Sequence, residues 1–241
     1  MNQDATGWRL ISTDPNAPEV QAYLHDALRH ARQGRISDPQ GFLLDFVRNR
    51  SVLDIGVVAH TIEQTRDPRW RHQLIKGVAA SVVGVDVLEE PVQQLRDRGY
   101  DIRLVDATSD ADLGARFARV IIGDVIEHVD DPVALLRFAR HHLEPGGQIL
   151  CSTPNPTYIG TIWAGLREGV VVVNAEHVTW ITPSMAVELA QRAGLRLASY
   201  WTVGRTNGSV AQKALRRAFR LLGSLDDILA TTTFVYVFDR P

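Results

Sequence analysis

The chain has 241 residues, of which 45% are hydrophobic and 22% charged, with a formal net charge of −2. That length suits one large α/β domain or two small ones, and the near-neutral balance argues against a nucleic-acid backbone as the main partner, because such binders carry a strong basic excess. The single cysteine, Cys151, excludes a disulfide framework and a cysteine-built zinc site, and no apolar run approaches the roughly 18 residues that span a bilayer.

The opening MNQDATGWRL carries no apolar signal core, so a cytoplasmic protein is expected. NAPEVQAYLHDALRHARQG predicts a helix capped at Asn16 and stopped at Gly34, with Val20, Tyr23, Leu24, Ala27 and Ala31 at helical spacing. A second helix is expected from DPQGFLLDFV with Asp38 as its cap, which makes residues 1–50 a helical segment ahead of a domain at 51–241. From Ser51 the pattern changes. SVLDIG, SVVGVD, DIRLVDA, ARVIIGD and GQILCSTP are short, rich in Val and Ile and continuously apolar, as strands buried on both faces must be. Between them, DPRWRHQLIKGVA, LEEPVQQLRDRG and DDPVALLRFARHHLEPGG read as helices opened by Asp-Pro or Glu-Pro.

This alternation predicts a Rossmann-like, doubly wound parallel sheet with right-handed crossovers. Residues at about 154–182 are irregular and aromatic, a candidate lid, and TPSMAVELAQRAG then reads as a helix capped by Thr182 and stopped at Gly194. LRLASYWTV and TTTFVYVFD complete a seven-stranded mixed sheet as an antiparallel last pair, with a helix near Val210 to Leu222 between them. The basic run KALRRAFR, Lys213 to Arg220, is read as a solvated helix face.

Ligands of an open α/β sheet bind outside the carboxyl ends of its strands, near the switch in strand order. Four expected strands end in an acid there: Asp54, Asp86, Asp106 and Asp124. One such acid often only caps the next helix, but four along a single rim suit a ligand with hydroxyls, amines and a cation better than one with phosphates. Three segments then carry a resemblance over Ser51 to about Pro156. VLDIG, VVGVDVLEEPVQQL and ARVIIGDVIEHVDDPVALLRFARHHLEPGGQILCSTPNP resemble the class I S-adenosylmethionine-dependent methyltransferases, the last segment being close to their small-molecule branch.

The resemblance implies S-adenosyl-L-methionine as cofactor, S-adenosyl-L-homocysteine as product and no metal. It places Asp54 and Gly56 beside the methionine moiety and Asp86, with Val87, at the ribose hydroxyls. Asp106 and Ala107 fall at the adenine edge, and Gly123 and Asp124 at the end of the fourth core strand. The first motif departs from the family pattern: Gly56 is kept, but Val58 and His60 stand at the next two glycine places, with His60 still expected among the cofactor-binding residues. Asp54 and Asp86 are 32 positions apart, where roughly 20 separate the turn from the second acid in the common dinucleotide pattern. The inserted EQTRDPRWRHQL contains Trp70 and His72, an arrangement similar to a methyltransferase subgroup of cell-surface sugar pathways. Should Val58 and His60 fill the cofactor hollow and Asp86 turn to a structural lysine or arginine, the enzymatic reading fails.

Methyl transfer to an alcohol needs a base for its proton. His128, in VIEHVDDP, and His177, in NAEHVTWITP, are the candidates, with backbone-satisfied histidines as the competing reading. Glu127 is expected to be structural, and His141 and His142 to serve a helix C-terminus. The lid composition suits a small-molecule acceptor, with Tyr158, Trp163 and Trp180 able to stack on a ring, and a sugar or other natural-product or cell-surface precursor hydroxyl leads. No nucleic-acid or membrane partner is expected. The N-terminal helices either close the pocket or support a homodimer. Two rivals remain at this level. A dehydrogenase would share the sheet but needs a phosphate-binding glycine turn, and a non-catalytic pseudoenzyme or partner subunit would bind no cofactor.

Overall fold

Eight strands form one sheet in the computed structural model, which describes residues 7–58, 61–204 and 228–241. The strands are β1 Arg32–Ile36, β2 Ser51–Ile55, β3 Ser81–Asp86, β4 Ile102–Leu104, β5 Phe117–Gly123, β6 Leu143–Pro154, β7 Arg196–Val203 and β8 Thr233–Asp239. Their order is β1-β7-β8-β6-β5-β2-β3-β4. Pairings β2 with β3, β3 with β4, β2 with β5, β5 with β6 and β1 with β7 are parallel, and β8 runs antiparallel to both β6 and β7. The chain builds outward from β2 through β3 to β4, then restarts on the other side of β2 with β5. The switch point therefore lies between the carboxyl ends of β2 and β5.

The sheet has eight strands where seven were expected. The extra one, RQGRI, hides in the tail of the expected first helix. It is short, charged and alternately exposed, as an edge strand can be, and it lacks the apolar run that marks the buried strands. Gly34, at φ +98°, sits inside this strand beside a register shift and is no helix stop. The helix itself, α1 Pro18–Ala31, has Ala17 and not Asn16 as its N-cap, because Pro18 supplies the first helical position. Asp38 does cap α2 Pro39–Val47 through Gly41 N, and Thr182 caps α7 Pro183–Arg192 through Met185 N. The strand ending in Asp106 stops two residues early, at Leu104.

The helices α3 Arg71–Lys76, α4 Glu89–Asp97, α5 Pro132–His141 and α6 Ile159–Glu168 complete the set used below. Period-two alternation divides the strand residues between two cores. Leu53, Val120, Ile122, Ile149 and Cys151 pack with Leu135, Leu136 and Phe138 of α5 on one face. Val52, Ile121 and Leu150 pack with Val47 and Ile75 on the other. The helix expected near 210–222 and the basic run within it lie outside the described residues. No helix among the described residues is long and apolar enough to cross a membrane.

Candidate active site

The turn after β2 is rebuilt by the insertion that follows it. Asp54 is completely buried, and a buried carboxylate must find partners or lose its charge. Both partners come from the start of α3: Arg71 Nε donates to Asp54 Oδ1 at 3.0 Å, and His72 Nδ1 lies 3.0 Å from Oδ2. Next to them, Trp70 Nε1 donates to the Val57 carbonyl at 2.8 Å. Trp70, Arg71 and His72 thus brace from the side a turn that glycines would otherwise let curl on its own. Val58 does not project as a plug, since its side chain packs with Val57, Trp70, Val92, Leu95 and Ile102. Gly56 keeps a positive φ of +70°, and a Cβ there would stand 2.4 Å from Val125 Cγ2. His60 lies outside the described residues.

Arg71 also crosses the switch point. Its Nη1 donates to the Gly123 carbonyl at 2.8 Å, and its Nη2 to the carbonyls of Ile55 at 3.0 Å and Gly56 at 2.7 Å. No strand-end pattern pointed to Arg71. The available signal was a long cation beside Trp70 and His72 in the insertion.

Asp86 closes β3 and faces the cleft. Its Oδ2 accepts from Val58 N at 2.8 Å, and its Oδ1 from Val87 N at 2.8 Å and Leu88 N at 3.1 Å. Among the described residues none of these bonds comes from a lysine or arginine. Three of roughly four acceptor positions on the carboxylate are used, which leaves one on Oδ2 for a ligand hydroxyl. Val87 is exposed on the same wall. Asp106 and Ala107 are not brought into this cleft. Thr108 donates to Asp106 Oδ1 from both Oγ1, at 2.6 Å, and N, at 2.8 Å, and these bonds hold the Asp106 carboxyl below the usual carboxylate range. Ala107 is buried in the core.

After β5 the backbone turns sharply. Asp124 adopts a left-handed φ of +53°, its N donating to the Ser152 carbonyl at 3.1 Å and its Oδ1 accepting from Ser152 Oγ at 3.0 Å. The short 3-10 turn Ile126–His128 follows. The Glu127 carbonyl accepts from Val178 N at 2.9 Å, which ties the segment after α6 to this turn. This segment and the turn thereby bring the two candidate bases together: the rings of His128 and His177 meet edge to face with centroids 4.7 Å apart. Glu176 Oε2 stands 3.9 Å from His128 Nδ1.

Glu127 was expected to be structural, and the structure gives it a more pointed setting. Its side chain is completely buried at the cleft wall, with no hydrogen bond of normal geometry to either carboxylate oxygen among the described residues. Burial pushes its pKa up to about 7, and the negative charge of Asp124 adds to the effect. Ligand atoms of Glu127, His128 and His177 lie within 4.8 Å of one another, a donor set a divalent cation could also use.

These groups surround one cleft of about 1190 Å³ at the carboxyl ends of the strands, reached by Gly56, Asp86, Gly123, Asp124, His128 and His177. Tyr158 joins them, whereas Trp163 and Trp180 do not. The profile of the family described as "Methyltransferase domain" matches residues 28–200, well over half of the chain. The chain belongs to the S-adenosylmethionine-dependent methyltransferases.

Relatives of this methyltransferase include the ubiquinone biosynthesis O-methyltransferase of Cereibacter sphaeroides, 32% identical over 133 residues, which cover 49% of this chain and 52% of the relative. That of Pseudoalteromonas translucida is 23% identical over 173 residues, covering 64% and 70%. The chain spans about half the length of the first of these. A SAM-dependent methyltransferase from Archaeoglobus fulgidus shares the fold with a TM-score of 0.53 at 17% identity, covering 83% of this chain and 90% of that one. The [4+2]-cyclase SpnF does so with a TM-score of 0.51 at 17% identity, covering 95% and 86%. Fold alone therefore does not dictate the reaction.

The methyltransferase cleft suits its family's donor in chemistry. S-Adenosylmethionine carries a sulfonium, an ammonium, a carboxylate and two ribose hydroxyls but no phosphate. The cleft offers Asp86 with an acceptor position left over, an exposed Asp124, and backbone laid bare at Gly56. Among the described residues it has no phosphate-binding glycine turn of the kind a dinucleotide needs.

Proposed function

We propose that this methyltransferase transfers a methyl group from S-adenosylmethionine to a hydroxyl of a small organic acceptor, a sugar or another natural-product or cell-surface precursor. What carries the reading is the His128–His177 pair, held in contact across the joint between the β5 turn and the lid, on the wall of the same cleft as Asp86 and Gly56. The O-methyltransferase activity in the names of the relatives supports an oxygen acceptor.

When bound, the donor supplies an electrophilic methyl group on sulfur. Asp86 and Gly56 would hold it, with Asp124 on the same cleft wall. In-line displacement depends mainly on holding the acceptor oxygen close to the methyl carbon in a water-poor site. The lid segment serves that purpose, since Val178 N on the Glu127 carbonyl anchors it over the cleft. As the new C–O bond forms, the methyl–sulfur bond would break with its electron pair left on sulfur, giving neutral S-adenosylhomocysteine, and His128 or His177 accepts the hydroxyl proton. Glu127 stands behind both rings as a buried carboxyl able to hold a proton near neutrality.

His128→Gln and His177→Gln, assayed with a panel of hydroxylated acceptors, should each lower turnover at least about tenfold. The affinity for S-adenosylhomocysteine, measured by titration calorimetry, should stay within about twofold. Full activity in both variants would remove the imidazoles from the mechanism.

A further inference from the structure

Arg71 reaches from the first residue of α3 into the floor of the cleft, where its side chain is 24% exposed. A guanidinium has five N–H donors in a rigid fork. Four are used among the described residues: Nε on Asp54, one on the Gly123 carbonyl, and one each on the Ile55 and Gly56 carbonyls. The fifth, on Nη1, has no such partner. This fork also explains the glycine at 123, where a Cβ would stand 1.9 Å from Arg71 Nη1. Glycine there makes room for the arginine.

The carbonyls at the ends of β2 and β5 are the acceptors a ligand ammonium at the switch point would use. In this chain a guanidinium has taken them. Among the described residues the other charges around the cleft are mostly negative: Asp67, Asp86, Asp124 and Glu176. Arg69, the other arginine there, is mostly exposed at the rim and paired with Asp67 at 2.9 Å. Among the described residues, a ligand carboxylate entering the floor meets one arginine that is not paired at the rim, already held still by β2 and β5.

We propose that Arg71 anchors the α-carboxylate of the donor's methionyl group through its remaining Nη1 hydrogen, a role that rests on the donor reading above. Asp54 fixes the fork and balances part of its charge, so its role toward the donor is indirect. Recognition at this end of the cleft then depends on the ligand's carboxylate more than on its amine.

Calorimetric titration of the full chain tests this with three ligands: S-adenosylhomocysteine, its decarboxylated analogue and its deaminated analogue. A charge-assisted contact of this kind corresponds to about a 10- to 100-fold loss when one partner is removed. Wild type should show that loss for the decarboxylated analogue and a smaller one for the deaminated analogue. Arg71→Met should lower the affinity for S-adenosylhomocysteine by a similar factor and leave the decarboxylated analogue within about twofold. Because Arg71→Met strands Asp54, the pair Asp54→Asn/Arg71→Met should give the same pattern with a balanced charge, and Arg71→Lys should fall between. Equal losses for both ligands, or tighter S-adenosylhomocysteine binding in Arg71→Met, would overturn the anchor. So would a wild type indifferent to the carboxylate. Wild type that binds none of the three overturns the donor reading itself, a distinct outcome.

Discussion

Two clusters in this molecule each combine one acid with two histidines. Asp112, His141 and His142 stand near the amino end of β5, and Glu127, His128 and His177 stand at its carboxyl end. In the first, His142 and Asp112 serve the fold. His142 is completely buried, its Nε2 accepts from Leu113 N at 3.0 Å and its Nδ1 lies 2.8 Å from the Phe138 carbonyl. Burial pushes its imidazole pKa down, and the ring stays neutral with both nitrogens engaged. Asp112 accepts from Gly114 N at 2.9 Å and Arg116 at 3.0 Å, which hold its carboxyl well below the usual range. In the second cluster the acid is buried without a partner of normal geometry among the described residues, and its pKa moves in the opposite direction. The same residue types therefore separate by satisfaction: a group with all its bonds made inside the fold is structure, and one kept wanting beside a cleft is a candidate for chemistry.

The widest separation should come from the histidines. A His128→Gln/His177→Gln double variant should lose about 10²- to 10⁴-fold in turnover, the range general-base removal gives, with little change in its urea midpoint. His142→Ala should do the reverse. It leaves the Leu113 N–H and Phe138 carbonyl unpaired and opens a cavity, at a cost of about 2–4 kcal/mol in a urea titration, while turnover per folded molecule holds. An active double variant, or an inactive but stable His142→Ala, would merge the two clusters again.

Sequence pattern made the sheet legible because β2, β3, β5 and β6 are buried on both faces and must be apolar throughout. It failed at β1, where an edge strand of RQGRI needs only alternate contacts and can be mostly charged. Within the site, Asp86, Gly56, Gly123 and Asp124 were legible from strand ends, and all reach the cleft. Asp106 was not separable from a turn former, since Thr108 two residues on satisfies it locally. Arg71 was not singled out, and Glu127 was read only as structural, for another reason. Arg71 acts across the break between β2 and β5, 52 positions from Gly123, and no local pattern encodes that reach. Glu127 owes its raised pKa to burial without a hydrogen bond of normal geometry among the described residues, which only three-dimensional packing decides.

Glu127 offers a smaller effect with a distinctive pH signature. Its folded pKa of about 7 lies above the ordinary 4.5, so the folded chain holds this proton more tightly than the unfolded chain does. Its contribution to stability is thus full below about pH 4.5 and is lost as pH rises through about 7. Glu127→Gln removes that loss. Relative to wild type it should gain stability between pH 5 and pH 8, by at most about 3 kcal/mol, in urea titrations at the two values. Parallel curves for the two proteins would mean that the carboxyl is solvated or paired.

The smallest effect belongs to Asp112, and its sign is opposite. Its folded pKa is depressed, first by the Gly114 N–H and then by Arg116, so it stabilises the fold above the ordinary carboxylate value and loses that contribution as pH falls below it. The residue is half-exposed at the surface, where solvent and salt screen such pairs, so the change should be small. Asp112→Asn should flatten the acid limb of the stability curve slightly, with turnover unchanged at every pH. Glu127→Gln acts on the neutral limb instead, so the two profiles bend at different pH. A bend at the same pH in both would show that satisfaction of the acid is not what divides the two clusters.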